Sequence, residues 1–190
     1  MSFPENRHHE SSRLWQQLSE LEITPPEQAW TFEARLAKEN GWGLDRALAV
    51  VGEYKKFLFL VLTSQHPVTP SEDVDAAWHL HLLYTRSYWD VLCATIAQRP
   101  IHHVPTAGGS HDDDKYRRQY AETLERYTEV FGVVPPRDIW PSVAERFSSS
   151  RNARWVDASE YYLVPRPWRW LTKRLFRARP IKKKGDVHGT

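Results

Sequence analysis

Apolar residues recur along the body of this chain at intervals of three and four, the spacing that lines one face of an α-helix. Leu14, Leu18 and Leu21 mark a short helical stretch over Ser11 to Glu22. Thr24-Pro25-Pro26-Glu27 reads as a start signal for a second helix: Thr24 caps, the prolines suit the first turn and Glu27 completes a capping box. That helix carries Trp30, Ala34 and Ala37 on one face and stops at Asn40-Gly41. A third begins near Leu44 and runs to about Ser64. Its stripe is Leu44, Leu48, Val51, Leu58 and Leu62, and Val50, Tyr54, Phe57 and Phe59 widen it, which predicts the central helix of the domain.

Val68 to Asp73 opens a fourth helix, where Pro70 precedes acidic residues that suit the positive end of the helix dipole. Its apolar pattern continues through Trp78 and Tyr88 to about Ala97. After a loop, a fifth spans about Asp112 to Phe131 with Tyr116, Tyr120, Leu124 and Tyr127 in register, and Gly132 ends it. Pro135-Pro136 and a short Ile139 to Phe147 segment close the body. There is no internal repeat, and the alternation expected of strands is absent apart from a short extended piece at Tyr161 to Val164. The predicted fold class is all-α: a compact multi-helix domain over residues 11–148 with a basic C-terminal extension over 149–190.

Composition narrows the classes. With 41% hydrophobic and 26% charged residues, 190 residues suffice for one folded domain and do not read as disorder. The single cysteine, Cys93, excludes a disulfide framework and a four-thiolate zinc site. The longest apolar run, Phe57 to Leu62, is too short to span a bilayer, and the N-terminus lacks an apolar signal core, so a cytoplasmic protein is expected. A net charge of +2 hides an asymmetry: residues 151–190 hold 11 of the 26 Lys and Arg and 3 of the 24 Asp and Glu. An acidic body with a basic tail is not the footprint of a nucleic-acid-binding domain, whose basic stripe lies on the folded body. The tail segment Trp168 to Arg177 reads as a basic amphipathic helix that lies on an anionic membrane surface, docks to an acidic partner or packs back on its own acidic body.

The chemistry concentrates in one stretch. His79, His81, His102, His103 and His111 are five of the nine histidines, with Asp73, Asp75, Cys93 and Asp112 to Asp114 among them. At 100° per residue, with Val74 at 0°, Trp78 falls at 40° and His81 at 340°, so His81 sits in the apolar stripe. Asp75 and His79 are neighbours four residues apart on the adjoining face. His79 and His81 are 200° apart, so a regular helix cannot aim both at one ion. The expected metal site therefore uses His79 or His81, a third ligand from His102 or His103, and Asp75 as ligand or orienter. Mixed imidazole and carboxylate donors suit zinc, iron or copper better than magnesium or calcium. A buried Cys93 reads as an inert thiol, and Asp112 to Asp114 as the negative first turn of the fifth helix.

The run Val74 to Cys93, with Asp75, Trp78-His79-Leu80-His81, Thr85, Tyr88 and Cys93, followed by His102-His103-Val104-Pro105, resembles the bacterial glycine-rich domain-containing protein-like family. The resemblance extends from about Phe32 through Asp138-Ile139-Trp140-Pro141. It implies little about activity, since that family is functionally uncharacterised. The chain has no glycine-rich domain of its own, so a role drawn from such tails implies a partner protein with a glycine-rich segment. Two function classes stand at this point. One is a metal-binding protein, and beyond that a metalloenzyme. The other is a non-catalytic interaction module in which the histidines form a structural network and the basic tail meets an acidic partner or membrane surface.

Overall fold

The computed structural model describes residues 4–104 and 110–149, with side chains over 12–104 and 114–148. Six α-helices and one π-helix follow in order: α1 (Pro4–Ser19), α2 (Phe32–Asn40), α3 (Leu44–Thr63), α4 (Glu72–Leu83), the π-helix (Arg86–Ala97), α5 (Ser110–Phe131) and α6 (Val143–Ser149). No strand occurs among the described residues, so the all-α class holds. The extension, with its predicted extended piece at Tyr161 to Val164 and amphipathic segment at Trp168 to Arg177, lies outside the described residues.

The central position of α3 follows from its breadth of apolar residues. Val50, Tyr54, Phe57, Leu58 and Leu60 are fully buried, and α1, α2 and α4 pack around them. The buried sector is rotated from the expected stripe, because Leu44 and Leu48 are about half exposed (52% and 51%). A wide apolar sector fixes that a helix is buried, and its neighbours decide which edge stays wet.

The first helix spans Pro4–Ser19, earlier at both ends than the expected Ser11 to Glu22, and two further boundaries depart from the expected ones. The second helix begins at Phe32 rather than at Thr24, because Pro26 disfavours helical geometry at Pro25 and the pair instead makes a turn closed by Gln28 N–H on the Pro25 carbonyl. Thr31 is the cap that wins, its Oγ1 accepting from Ala34 N at 3.1 Å, while Thr24 Oγ1 accepts from Phe32 N at 2.8 Å. Trp30 therefore lies before the helix, 54% exposed beneath the Lys38 ammonium. The predicted fourth helix is two elements. Ser71 caps α4 through Val74 N, the α-ladder ends at Leu83, and the chain resumes as a π-helix over Arg86–Ala97. Gly132, at φ 68°, terminates α5 as expected, its N–H on the Thr128 carbonyl.

A buried carboxylate ties α5 to α3. Glu53, 6% exposed, accepts from Lys56 Nζ at 2.8 Å and Tyr127 OH at 3.3 Å on Oε1, and from Trp140 Nε1 at 2.9 Å on Oε2. The start of α4 is held to the segment before α6 by Arg46, which donates to Asp73 and to the Asp138 carbonyl.

Candidate metal centre

Three candidate ligands converge. The α4 helix places Asp75 and His79 one turn apart on one face, and the loop after the π-helix returns His103 to them. His103 Nε2 donates to Asp75 Oδ1 at 2.8 Å, and His79 Nε2 stands 3.8 Å from Asp75 Oδ2. The two imidazole rings lie 4.4 Å apart between centroids, and one ligand atom from each of the three residues falls within 4.8 Å of the others. The side chains of His103, Asp75 and His79 are 18%, 32% and 58% exposed, so the group is a shelf that opens to solvent on the His79 side.

His103 owes its position to a relay of buried side chains. Trp78 Nε1 donates to Tyr88 OH at 2.9 Å, and Tyr88 OH donates to the Ile101 carbonyl at 2.6 Å. The π-helix thus clasps the returning loop against α4, and the Trp78 ring packs edge-on against His103 with centroids 4.5 Å apart. Burial pushes the Tyr88 phenol up to about 12, keeping it a neutral donor.

The other two candidate histidines lie elsewhere. His81 is fully buried and both ring nitrogens are engaged, Nδ1 with Tyr54 OH at 2.9 Å and Nε2 with Ser87 Oγ at 3.1 Å. Ser87 Oγ donates to the Glu22 carbonyl at 3.5 Å, so it accepts from the Nε2–H tautomer of His81, whose Nδ1 then accepts from the Tyr54 hydroxyl. Burial lowers the His81 pKa to about 3, which keeps it uncharged. His102 faces outward, its ring 6.2 Å from that of Trp89. Cys93 is a buried free thiol.

Sequence reasoning had singled out Tyr88 without a role. It had used Tyr54 only as an apolar position, and it missed Ser87 and Arg146. The Arg146 guanidinium lies over the Tyr120 ring at 4.3 Å, and its Nη1 is buried with no hydrogen-bond partner.

Fold and site together define a small helical protein with a two-histidine, one-carboxylate cluster on a solvent-facing shelf. A family model described as UCP032817-like matches residues 26–126, just over half of the chain and inclusive of all three cluster residues. The chain belongs to the UCP032817-like family, an uncharacterised one. This corrects the assignment suggested by the Trp-His-x-His run: the matching family is not a glycine-rich domain family, and the expected glycine-rich partner loses its basis. No curated protein and no solved structure matches the chain.

Proposed function

We propose that the protein binds one divalent transition-metal ion, zinc, through Asp75 Oδ, His79 Nε2 and His103 Nε2. The observation that carries this reading is the convergence of those three donors within 4.8 Å. Tetrahedral zinc holds its ligands roughly 3.4 Å from one another, given metal–ligand distances of about 2.1 Å. Small side-chain rotations bring the three atoms to that spacing. Two imidazoles with one carboxylate are also the donor set of catalytic zinc and of non-haem iron(II) sites, which keep positions open for water. The exposed His79 side of the shelf offers that opening. A bound ion would supply a Lewis acid and a water activated near neutral pH, which makes a metal-assisted hydrolase the reaction class in view.

The interaction-module reading draws its support from His81, which is the satisfied core histidine that such a network requires. The same account fails for His79. Its ring is mostly exposed and touches only Asp75 and the His103 ring among the described residues, so packing does not explain it.

The test is calorimetric titration of chelator-treated protein with zinc and, anaerobically, with iron(II). One ion per chain is expected. Asp75→Ala, His79→Ala and His103→Ala should each weaken binding by about a hundredfold or more, since each removes one of three ligands. His81→Gln should leave affinity unchanged. Binding that is absent, or that survives all three ligand substitutions, overturns the proposal.

A further inference from the structure

A cavity of about 440 Å³ opens beside Trp78, between the end of α3 and the loop that returns His103. Val68, Trp78 and Ile101 give it an apolar wall, and Ser64, His66, Arg99 and His102 a polar one. No Asp or Glu lines it among the described residues. That sets it apart on a body where acidic side chains outnumber basic ones.

Arg99 owes its place to the end of the π-helix. Gln98 takes φ 52° and is the one non-glycine residue at positive φ among the described residues. A residue with a Cβ rarely adopts that conformation. The turn it makes puts both Gln98 N–H and Arg99 N–H on the Cys93 carbonyl and carries the chain to the cavity. Arg99 Nη2 then donates at 3.0 Å to the Val61 carbonyl, one of the last of α3, where the helix supplies no partner of its own. This bond tethers the guanidinium and leaves its other nitrogens without a hydrogen bond or ion pair among the described residues. The exposed rings of His66 and His102 also form no hydrogen bond among them. Ser64 Oγ is buried without a partner, which in a native fold requires a reason.

We propose that this cavity binds a small organic anion, an apolar body that ends in a carboxylate or a phosphate. The oxyanion meets Arg99, whose planar fork matches paired oxygens, and the N–H groups of His66 and His102. The body lies against Trp78 and Val68. Ser64 Oγ gains its missing partner by turning to another staggered rotamer. An apolar wall with a few placed polar groups, at this volume, is the usual form of a small-ligand site. The cavity and the metal cluster share Trp78, whose ring centroid is 4.5 Å from that of His103, and the anion site stands with or without an ion at that cluster.

The experiment titrates benzoate and phenyl phosphate, in separate arms, into chelator-treated protein by calorimetry, so that no metal holds the anion. At least one should bind saturably, one per chain, and the tighter arm identifies the head group. Benzyl alcohol, with a similar body and no charge, should bind about tenfold more weakly or not at all. Arg99→Gln should weaken the anion by about tenfold or more, with Arg99→Lys between it and wild type. His66→Ala should weaken it by about threefold, the loss of one neutral hydrogen bond. Arg99→Lys keeps a donor for the Val61 carbonyl, so it stays informative if Arg99→Gln proves unstable. His79→Ala, at the metal cluster, should leave the affinity unchanged. Absence of saturable binding by either anion overturns the proposal, as do affinities equal in wild type, Arg99→Gln and His66→Ala. Binding that is lost in His79→Ala and kept in the Arg99 variants also overturns it, by placing the anion on the shelf.

Discussion

Acid should unfold this protein through His81, and the size of the effect follows from its burial. The side chain has no exposed surface, and burial holds its pKa at about 3, against 6.5 in the unfolded chain. Between those values the unfolded chain binds a proton that the native state excludes, so stability rises with pH there. The contribution is complete above the unfolded pKa and is lost as pH falls from about 6.5 toward 3. At pH 4.5 stability should lie about 2.7 kcal/mol below its high-pH plateau, two units at about 1.36 kcal/mol each. That is a large share of the roughly 5–15 kcal/mol that holds a domain together.

The assay is urea unfolding of chelator-treated protein at half-unit pH steps, in parallel with His81→Gln, which retains hydrogen-bonding groups but does not titrate. Every other ionisable group is common to the two proteins, so the difference between their profiles isolates His81. The variant should start lower, by about 1–3 kcal/mol if Tyr54 or Ser87 is left unpartnered, and should fall less steeply below pH 6. Parallel profiles would refute a neutral, desolvated imidazole at this position.

Glu53→Ala should cost about 3 kcal/mol in urea unfolding, because it strands Trp140 Nε1 and leaves Lys56, 28% exposed, without its carboxylate. Tyr88→Phe cuts the relay from Trp78 to the Ile101 carbonyl, so zinc affinity should fall about tenfold or more beyond any change in zinc-free stability, measured by calorimetry. Zinc takes only unprotonated donors, and protons compete for the His79, His103 and Asp75 ligand atoms, so affinity measured by calorimetry between pH 5.5 and 8 should rise with pH. Ser71→Ala removes the cap on Val74 N and should lower stability by about 1 kcal/mol by thermal denaturation, with zinc affinity kept within error.

How much of this was legible depends on how local each cause is. The wheel drawn at 100° per residue is valid only where the α-ladder is, and α4 is regular from Glu72 to Leu83. Within that range it put His81 inward, where it is fully buried, and Asp75 beside His79, where they meet. Past Leu83 the same wheel had no basis, since a π-helix closes i→i+5 bonds that leave no separate mark in a pattern of apolar residues. The clasp of Tyr88 on Ile101 was invisible for the same reason: it depends on the register of the irregular segment, not on residue type. Thr24 and Thr31 offered rival caps, and the Pro25-Pro26 turn decided between them.

The choice between His102 and His103 is more instructive, because the signal was present in the residues and went unread. Residues 101–104 run without helix, and burial alternates along them: Ile101 is buried, His102 exposed, His103 half-buried and Val104 exposed. An extended segment turns successive side chains to opposite sides. Ile101 is the one residue of the first three whose apolar chain strongly favours the interior, so anchoring it inward sends His103 inward with it and His102 to solvent. Val104 then falls outward despite being apolar, at 75% exposed, which shows that the period and the Ile101 anchor outweigh the preference of any single later residue. The partner across the gap, Asp75, is 28 positions away in sequence, and no spacing rule reaches it. What joins them is the regular face of α4 on one side and the two-residue period of the loop on the other. Each is a local property, and the cluster forms where the two faces meet.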